Sequence, residues 1–520
     1  MAVMHAVDQV LEDVPEHHTV AIVGSGFAGL GLARSLERER IDYVILERAD
    51  DLGGTWRDNR YPGCQCDVPS HLYSFSFALN PEWSRTYPLQ QEIWSYLHQV
   101  ADRYGITPKI RYRHEVIAAS WDGESRLWRI ETTGGRLTAN ALVAGVGGLS
   151  EPRSPDIPGL DSFEGPVVHS AQWDESRDLA DQRVAVIGTG ASAVQIVPRI
   201  QPKAQRLLVF QRTPAWVVPH RDRAISARER TLYRHLPFAQ RLVRYGVYWL
   251  RELLVIGLAK NTRYVEPIRR AATQHLEEQV PDPELRSKLT PAFSPGCKRL
   301  LPSNQFYPAL TQPNVDLVTD AITEITPRGI RTADGAEHEV DVIVAATGFR
   351  VTNHPFFERV RDADGQSLAA RWSLSGMQAY RGTTIAGYPN LFVMTGPNTG
   401  LGHTSVVVMI ESQIPYIVDA LRLLRRKQLA AVDVRPEVQR AYNADIQRRL
   451  AGTIWNTGGC ASWYLDAEGR NTTLWPDFTW KYRLLMRRFD AGSYDLIPPR
   501  RRPEKEEPAP RTEPAREVVA

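Results

Sequence analysis

Cysteine is scarce in this chain: four residues among 520 are too few for a disulfide-dense extracellular scaffold. Long apolar runs are missing too. The most apolar helical stretch, Val247 to Ala259, is too short to span a bilayer and carries Arg251 and Glu252. The opening MAVMHAVDQVLEDVPEHH has neither the basic start nor the apolar run of a secretory signal, so a cytoplasmic location is expected. Neither sign of charge dominates. A total of 63 Lys+Arg against 60 Asp+Glu leaves a formal +3, which argues against a general nucleic-acid binder, whose affinity comes from excess cationic surface. Lysine itself is rare, eight against 55 arginines, a bias attributed to a G+C-rich genome rather than to function. What is present is an ordinary globular composition, 42% hydrophobic and 24% charged, in a length suited to roughly three domains, or two with insertions. Such a chain buries several cores without needing disulfide or metal staples.

Two segments share one pattern. TVAIVGSGFAGLGLARSLERERIDYVILER (Thr19 to Arg48) and RVAVIGTGASAVQIVPRI continued by RLLVFQRT (Arg183 to Thr213) each read as a β-branched strand, a glycine turn, an amphipathic helix and a second buried strand. The first carries G-x-G-x-x-G at Gly24, Gly26 and Gly29; the second has Gly188, Gly190 and Ala193. One such motif is weak, but two, each after a strand and before a helix, point strongly to dinucleotide binding. The first glycine allows the tight turn and the second lets backbone approach a pyrophosphate. The third packs helix on strand, and the helix N-terminus meets the phosphate charge. At the end of the second strand the first unit has Glu47, an acid suited to ribose hydroxyls, while the second unit has Gln211, Arg212 and Thr213. A carboxylate there repels a 2′-phosphate, whereas Arg clamps it with charge-assisted bonds. The expected fold is α/β, with two Rossmann-like dinucleotide-binding domains, for FAD and for NADPH, and a helical insertion. GGTW (Gly53 to Trp56) follows Glu47 closely and supplies backbone that can approach a flavin.

Residues 18–150 are expected to form the first part of the FAD domain, 151–182 a proline-punctuated linker and 183–220 the first part of the NADP domain. An Arg-rich helical insertion follows over 221–290, and the NADP domain resumes over 291–346. Residues 347–497 complete the FAD domain and a C-terminal region, with a long helix from Val406 to Arg426. Residues 498–520, rich in Pro, Arg and Glu, are expected to be disordered. Within the insertion, Val247 to Ala259 is expected to be a buried wall of the substrate entrance, with a membrane-surface role as the open alternative. Asp282, Glu284 and Lys288 read as a solvated face. Cys64 and Cys66 form a C-x-C pair, read as packing residues. A redox dithiol is more often C-x-x-C, and no second pair exists to complete a zinc site, so no metal is expected.

The segment FEGPVVHSAQWD, with Phe163, Gly165, His169, Trp173 and Asp174, matches the fingerprint F-x-G-x-x-x-H-x-x-x-W-[P/D] of Type I Baeyer–Villiger monooxygenases. It lies between the two nucleotide motifs, where that family keeps it. The resemblance runs from Val20 to Asp490 and includes GGTWRDNRYPGCQCDVPSHLYSFSF, QRTPAW, SPGCKRLLPSNQFYPAL, ATGF and ASWY. In the related flavin-containing monooxygenases the fingerprint Trp is typically Phe or Tyr, so Trp173 favours the ketone-oxidising branch. The resemblance implies a catalytic Arg at Arg299, in the pair Lys298-Arg299, held by Asp67. It implies that Arg212 and Thr213 hold the 2′-phosphate, with Lys298 as a further phosphate contact and Trp463 against the nicotinamide nucleotide. The FAD contacts so expected are Gly24, Ser25, Gly26, Phe27, Ala28, Gly29, Glu47, Gly54, Thr55, Trp56, Asp67, Tyr73 and Val116. Those for NADPH are Gly188, Thr189, Gly190, Ser192, Ala193, Gln195, Arg212, Thr213, Lys298 and Trp463. One departure stands out: beyond Trp463 the chain reads YLDAEGRNTTLWPDF where many members continue with small residues and P-G-K, which marks a divergent substrate side.

The chemistry the resemblance implies makes three demands. NADPH delivers hydride to the flavin, oxygen adds at its 4a carbon, and the resulting peroxide stays deprotonated to attack a ketone, giving an ester or lactone. A guanidinium suits this because its pKa above 12 prevents it from protonating the peroxide. At ~4 Å and an effective dielectric of about 20, one such charge contributes on the order of 4 kcal/mol. His169 reads as a hydrogen-bonding residue that sets domain orientation rather than a proton shuttle. Two alternatives remain at this stage: oxidation of sulfur or nitrogen atoms by a flavin-containing monooxygenase, and a non-catalytic, NADPH-binding flavoprotein acting as a redox sensor. A nucleotide-disulfide reductase is disfavoured by the lack of a C-x-x-C pair. Which ketone is oxidised, and the oligomeric state, are not legible in the residues.

Overall fold

The computed structural model describes residues 15–500. Most of the opening segment read for a signal, up to residue 14, and nearly all of the expected C-terminal tail lie outside these residues. The strand Glu16–Val23 runs parallel to Tyr43–Leu46 on one side and to Gly135–Ala144 on the other, with Val20 opposite both Tyr43 and Ala141. Its last four residues, Val20 to Val23, are buried, as the β-branched run predicts for a strand covered on both faces. The turn after it needs glycine for two reasons. Gly24 has φ +98°, and a Cβ on Gly29 would stand 2.0 Å from the Gly24 carbonyl oxygen, so helix Phe27–Glu39 can sit on the strand only if that residue is bare.

The chain leaves this sheet and returns to it. Leu391–Val393 pairs parallel with Leu142 to Ala144, and Val360–Arg361 pairs with Ala119 and Ser120. The long helix runs Val406–Lys427, one residue beyond the expected end, and its Arg422 pairs with Glu39 of the first helix at 2.6 Å. Ser405 caps it by accepting from the Val407 N–H at 3.2 Å.

The second nucleotide unit is a five-stranded parallel sheet in the order Val315–Val318, Arg206–Phe210, Arg183–Ile187, Val342–Ala345, Val167–His169. The last of these corrects the reading of 151–182 as a linker throughout. Val167–His169 is an edge strand, and three residues are too few for any periodicity to show. A small antiparallel sheet, Ile322–Thr326, Gly329–Thr332 and Glu337–Glu339, flanks this unit.

Helices Ala227–His235, Pro237–Glu252, Glu266–Gln279 and Pro283–Leu289 occupy the span between the two halves of this sheet. Here the expectation of a buried apolar wall over Val247 to Ala259 fails in part. Trp249, Leu250 and Leu253 are 55%, 68% and 58% exposed, because Pro237–Glu252 turns its polar residues Gln240, Arg244 and Glu252 inward. Asp282 is not simply solvated: its carboxylate caps Pro283–Leu289, accepting from Glu284 and Leu285 N–H at 3.1 Å each. Glu284 and Lys288 do form an exposed pair, at 2.8 Å. Two cysteines that the sequence left unassigned, Cys297 and Cys460, form a disulfide across 163 residues. No helix among the described residues is long and apolar enough to cross a membrane.

Candidate active site

Two helix N-termini stand at the glycine turns expected to cradle the cofactors. Gly26 caps Phe27–Glu39 and Gly190 caps Ala191–Ile200, both in extended backbone with no side-chain cap, so first-turn N–H groups point outward, suited to an anion. Neither glycine is demanded by protein packing. A Cβ on Gly26 would find its nearest protein atoms at 3.9 Å, and one on Gly190 would meet none within 4 Å. The space kept bare is on the ligand side, which fits a pyrophosphate approaching backbone. Ser25, Phe27 and Ala28 are buried behind the first cradle, and Ala193 is buried behind the second, where it takes the third-glycine position.

Glu47 ends the second strand as expected, but it is engaged more heavily than a free ribose acceptor. One oxygen accepts from the Ser25 N–H at 3.0 Å and hydroxyl at 2.7 Å; the other accepts from Ala49 N–H at 3.0 Å and Arg57 Nη1 at 2.9 Å. Burial pushes its carboxyl up, yet Arg57 and these bonds prevail and hold it below the usual carboxylate range. An ionised carboxylate has room for about four acceptances, and these four fill it, so a ribose hydroxyl reaches Glu47 only by displacing one of the present donors. Arg57 was missed in the sequence; its signal was a cation immediately after GGTW, within reach of a buried acid.

The GGTW loop lies on the first cradle. The Gly53 N–H donates to the Ser25 carbonyl at 3.2 Å, and a Cβ on Gly54 would stand 3.5 Å from the Gly26 Cα. Thr55, Trp56 and Arg57 open the short helix Thr55–Asp58. Trp56 Nε1 donates to the Tyr73 hydroxyl at 3.0 Å, and the Tyr73 ring meets Phe27 edge-on at 5.2 Å. Tyr73 is therefore a buried loop residue joining GGTW to the first cradle. Val116, by contrast, is buried at the start of strand Val116–Asp122, where its carbonyl accepts from Arg359 at 2.7 Å.

Between GGTW and Tyr73 the chain places Asp67, and across 232 residues Arg299 closes on it. The guanidinium grips the carboxylate with both arms: Nη2 donates to Oδ1 at 2.6 Å and Nε to Oδ2. Burial raises the Asp67 pKa, but the Arg299 charge outweighs it and holds the carboxyl below its usual range; Asp67 in turn pushes the Arg299 pKa further up. Arg299 is thus permanently cationic, yet its side chain stays 35% exposed, leaving one face free for a ligand. Tyr464 is buried nearby, its phenol pushed up to about 12 by burial. It was also missed, although it is the last residue of ASWY.

Lys298 and Arg212 come close enough to repel: burial, then Arg212, lowers the Lys298 pKa. Two cations converging without a carboxylate between them suit a dianionic 2′-phosphate. Thr189 fixes this edge by donating its hydroxyl to the Thr213 carbonyl at 3.0 Å. Trp463 is 47% exposed and meets Tyr464 edge-on at 4.5 Å. Gln195 turns to the other domain: its amide oxygen accepts from the Tyr61 hydroxyl at 3.1 Å and its Nε2 donates to the Gln65 carbonyl at 2.9 Å. Ser192 lies beside the Tyr61 phenol too. His169 is buried, its Nε2 3.1 Å from the Gly348 carbonyl, where the chain crosses back to the first sheet. Cys64 and Cys66 are unpaired and buried, and burial pushes both thiols up, Cys64 to about 12. Neither is a thiolate at neutral pH.

Two dinucleotide cradles, one with an acidic strand end and one with a strand-end Arg beside Lys298, together with a fixed guanidinium, define an FAD- and NADP-dependent oxidoreductase. Comparisons narrow this. A family profile described as pyridine nucleotide-disulphide oxidoreductase matches residues 21–236. A Baeyer–Villiger monooxygenase of Streptomyces coelicolor is 53% identical over 94% of both chains, and one of Pseudomonas aeruginosa is 48% identical over 92% of both. Among solved structures, a cyclohexanone monooxygenase from Rhodococcus sp. Phi1 bound to NADP+ superposes with TM-score 0.81 at 28% identity, covering 93% of this chain and all of that one. The OTEMO complex with FAD and NADP gives 0.83 at 26% identity and the same coverage. The chain belongs to the Baeyer–Villiger monooxygenase family.

Proposed function

We propose that this protein is a cytoplasmic, FAD- and NADPH-dependent Baeyer–Villiger monooxygenase that takes a small-molecule ketone and molecular oxygen to an ester or lactone, with Arg299 as its catalytic residue. The observation that carries this is the two-armed Arg299–Asp67 pair beside the GGTW and Tyr73 loops. When bound, NADPH would supply the electrons and FAD would pass them to molecular oxygen, the source of the inserted atom. The chain's own residues do the rest. First-turn N–H groups after Gly26 and Gly190 receive the pyrophosphates, Glu47 takes a ribose hydroxyl in exchange for one of its present donors, and Arg212, Thr213 and Lys298 hold the 2′-phosphate.

Arg299 cannot give up a proton near neutral pH, so it stabilises negative oxygen without neutralising it. As a ketone is attacked, charge grows on its carbonyl oxygen, and a fixed donor lowers that barrier too. Asp67 holds the guanidinium in one orientation. His169 and Gln195 fix the seating of one nucleotide unit against the other, which keeps water from the reacting atoms.

The test is product analysis with linear, cyclic and polycyclic ketones and a thioether under NADPH and air. Esters or lactones are expected from at least one ketone. Arg299→Ala is expected to lower their formation by roughly a hundred- to a thousand-fold while NADPH is still consumed. Undiminished ester formation by that variant would remove Arg299 from the chemistry, and thioether oxidation with no ketone turnover would replace the reading by sulfur oxidation.

A further inference from the structure

Helix Pro237–Glu252 is built inside out. Its inward face is polar: Gln240 Nε2 donates to the Asn80 carbonyl at 2.6 Å, Arg244 Nη1 donates to the carbonyls of His71 and Ser74 at 2.8 and 2.9 Å, and Glu252 accepts from Thr479 N–H at 2.9 Å. Its outward face is apolar. Phe238, Leu242, Tyr245 and Trp249 follow the i, i+4, i+7, i+11 stripe of one helix side and are all exposed, with Leu250 and Leu253 extending it. The helix has 16 residues, so this face is about 24 Å long. A soluble helix with solvent on that side would carry the opposite pattern.

The surroundings say what covers it. A groove of about 490 Å³ continues the face, lined by Trp249, Trp480 and Leu484 together with Arg483 and Arg487. Arg241, Arg483 and Arg487 are exposed and make no ion pair among the described residues. The one carboxylate in the groove, Glu411, is already engaged, accepting from the Ser76 N–H at 2.7 Å and hydroxyl at 2.8 Å and pairing with Arg244 at 3.4 Å. An aromatic and leucine face rimmed by unpaired guanidinium groups is complementary to acyl chains beneath anionic headgroups. A second copy docked by a twofold axis would set the same arginines against each other.

We propose that the outward face of Pro237–Glu252, with the adjoining Trp480, Leu484, Arg483 and Arg487, docks on the surface of an anionic phospholipid bilayer without crossing it. The proposal does not depend on the chemistry assigned to Arg299. The full-length, FAD-loaded protein would be sedimented with vesicles of phosphatidylcholine alone and of phosphatidylcholine mixed with phosphatidylglycerol. Binding is expected to the mixed vesicles, weakened by salt and much lower with phosphatidylcholine alone. Trp249→Glu/Leu253→Glu, at two exposed positions, is expected to lower the vesicle affinity at least about tenfold, and Arg483→Gln/Arg487→Gln to abolish the preference for the anionic lipid. Both variants should keep wild-type turnover of a water-soluble substrate and wild-type flavin content, which shows that they fold. No sedimentation above the lipid-free control, or equal binding by the Glu variant, would overturn the proposal. So would light scattering that finds a dimer which the Glu variant converts to a monomer, since a second copy would then cover the face.

Discussion

At the residue scale the site depends on where single charges are held. Asp67 fixes Arg299 in place without burying it completely, as the role proposed for it requires, and Glu47 keeps its charge because Arg57 balances it in a buried setting. Arg212 and Lys298 show the opposite arrangement, two like charges held close, which suits the 2′-phosphate proposed for them. Arg212→Ala should therefore lower kcat/KM for NADPH by roughly ten- to a hundredfold, the effect of losing about 1.5–3 kcal/mol of charged hydrogen bonding, and leave NADH almost untouched. Steady-state kinetics with both nucleotides checks this, and equal losses for the two would take Arg212 away from the 2′-phosphate. Glu47, Arg212 and the glycines could be singled out in the sequence because the roles proposed for them follow from short-range spacing. Arg57 and Tyr464 were not, because their partners come from tertiary contact.

At the element scale, the presence of the long patterned segments was legible and that of a short one was not. The helix Val406–Lys427 and the two strand–glycine–helix units carry many residues of one period. Val167–His169 carries three residues and no period, and its membership of the sheet is decided by Val342–Ala345 alone. The terminal antiparallel pair shows an element under electrostatic load. Ala431–Val434 faces Tyr494–Ile497 with Asp433 directly opposite Asp495. Burial, with Asp495 adding to it against the Gly387 N–H, raises the Asp433 pKa to about 7. A carboxyl whose folded pKa lies above its unfolded value of about 3.9 stabilises the fold in acid, and that contribution is lost as pH rises through about 7. Asp495→Asn should raise thermal stability at pH 8 by roughly 0.2–1 kcal/mol and change it little at pH 5. A melting series across that range reads it directly, and a larger gain at pH 5 would contradict it.

At the scale of the whole molecule, the two nucleotide units are tied by contacts that no local pattern announces. His169 reaches Gly348, Gln195 reaches Tyr61 and Gln65, and Arg299 reaches Asp67. The disulfide Cys297–Cys460 adds a covalent tie between the arginine loop and the segment bearing Trp463 and Tyr464. It closes a long loop, so Cys460→Ser should lower stability by about 2–5 kcal/mol. The same variant should slow ester formation, because Cys297 stands two residues before Arg299. Calorimetry with and without reductant would show a melting temperature that falls in the wild type and not in the variant; a wild type indifferent to reductant would mean that the bond does not form in solution.

The residues alone pointed to two dinucleotide units and to the ligand proposed for each, because a glycine turn, a helix N-terminus and a strand-end charge act over a few neighbouring positions. They also carried the fingerprint that placed the chain beside its family. Three things only the tertiary structure decided: that Arg299 and Asp67 meet face to face, that Cys297 and Cys460 join, and that the most apolar helix of the insertion turns its apolar side outward. Each depends on which surface of a segment the rest of the chain covers. Hydrophobicity measures the tendency to leave water, and the fold alone settles whether protein or something else provides the refuge.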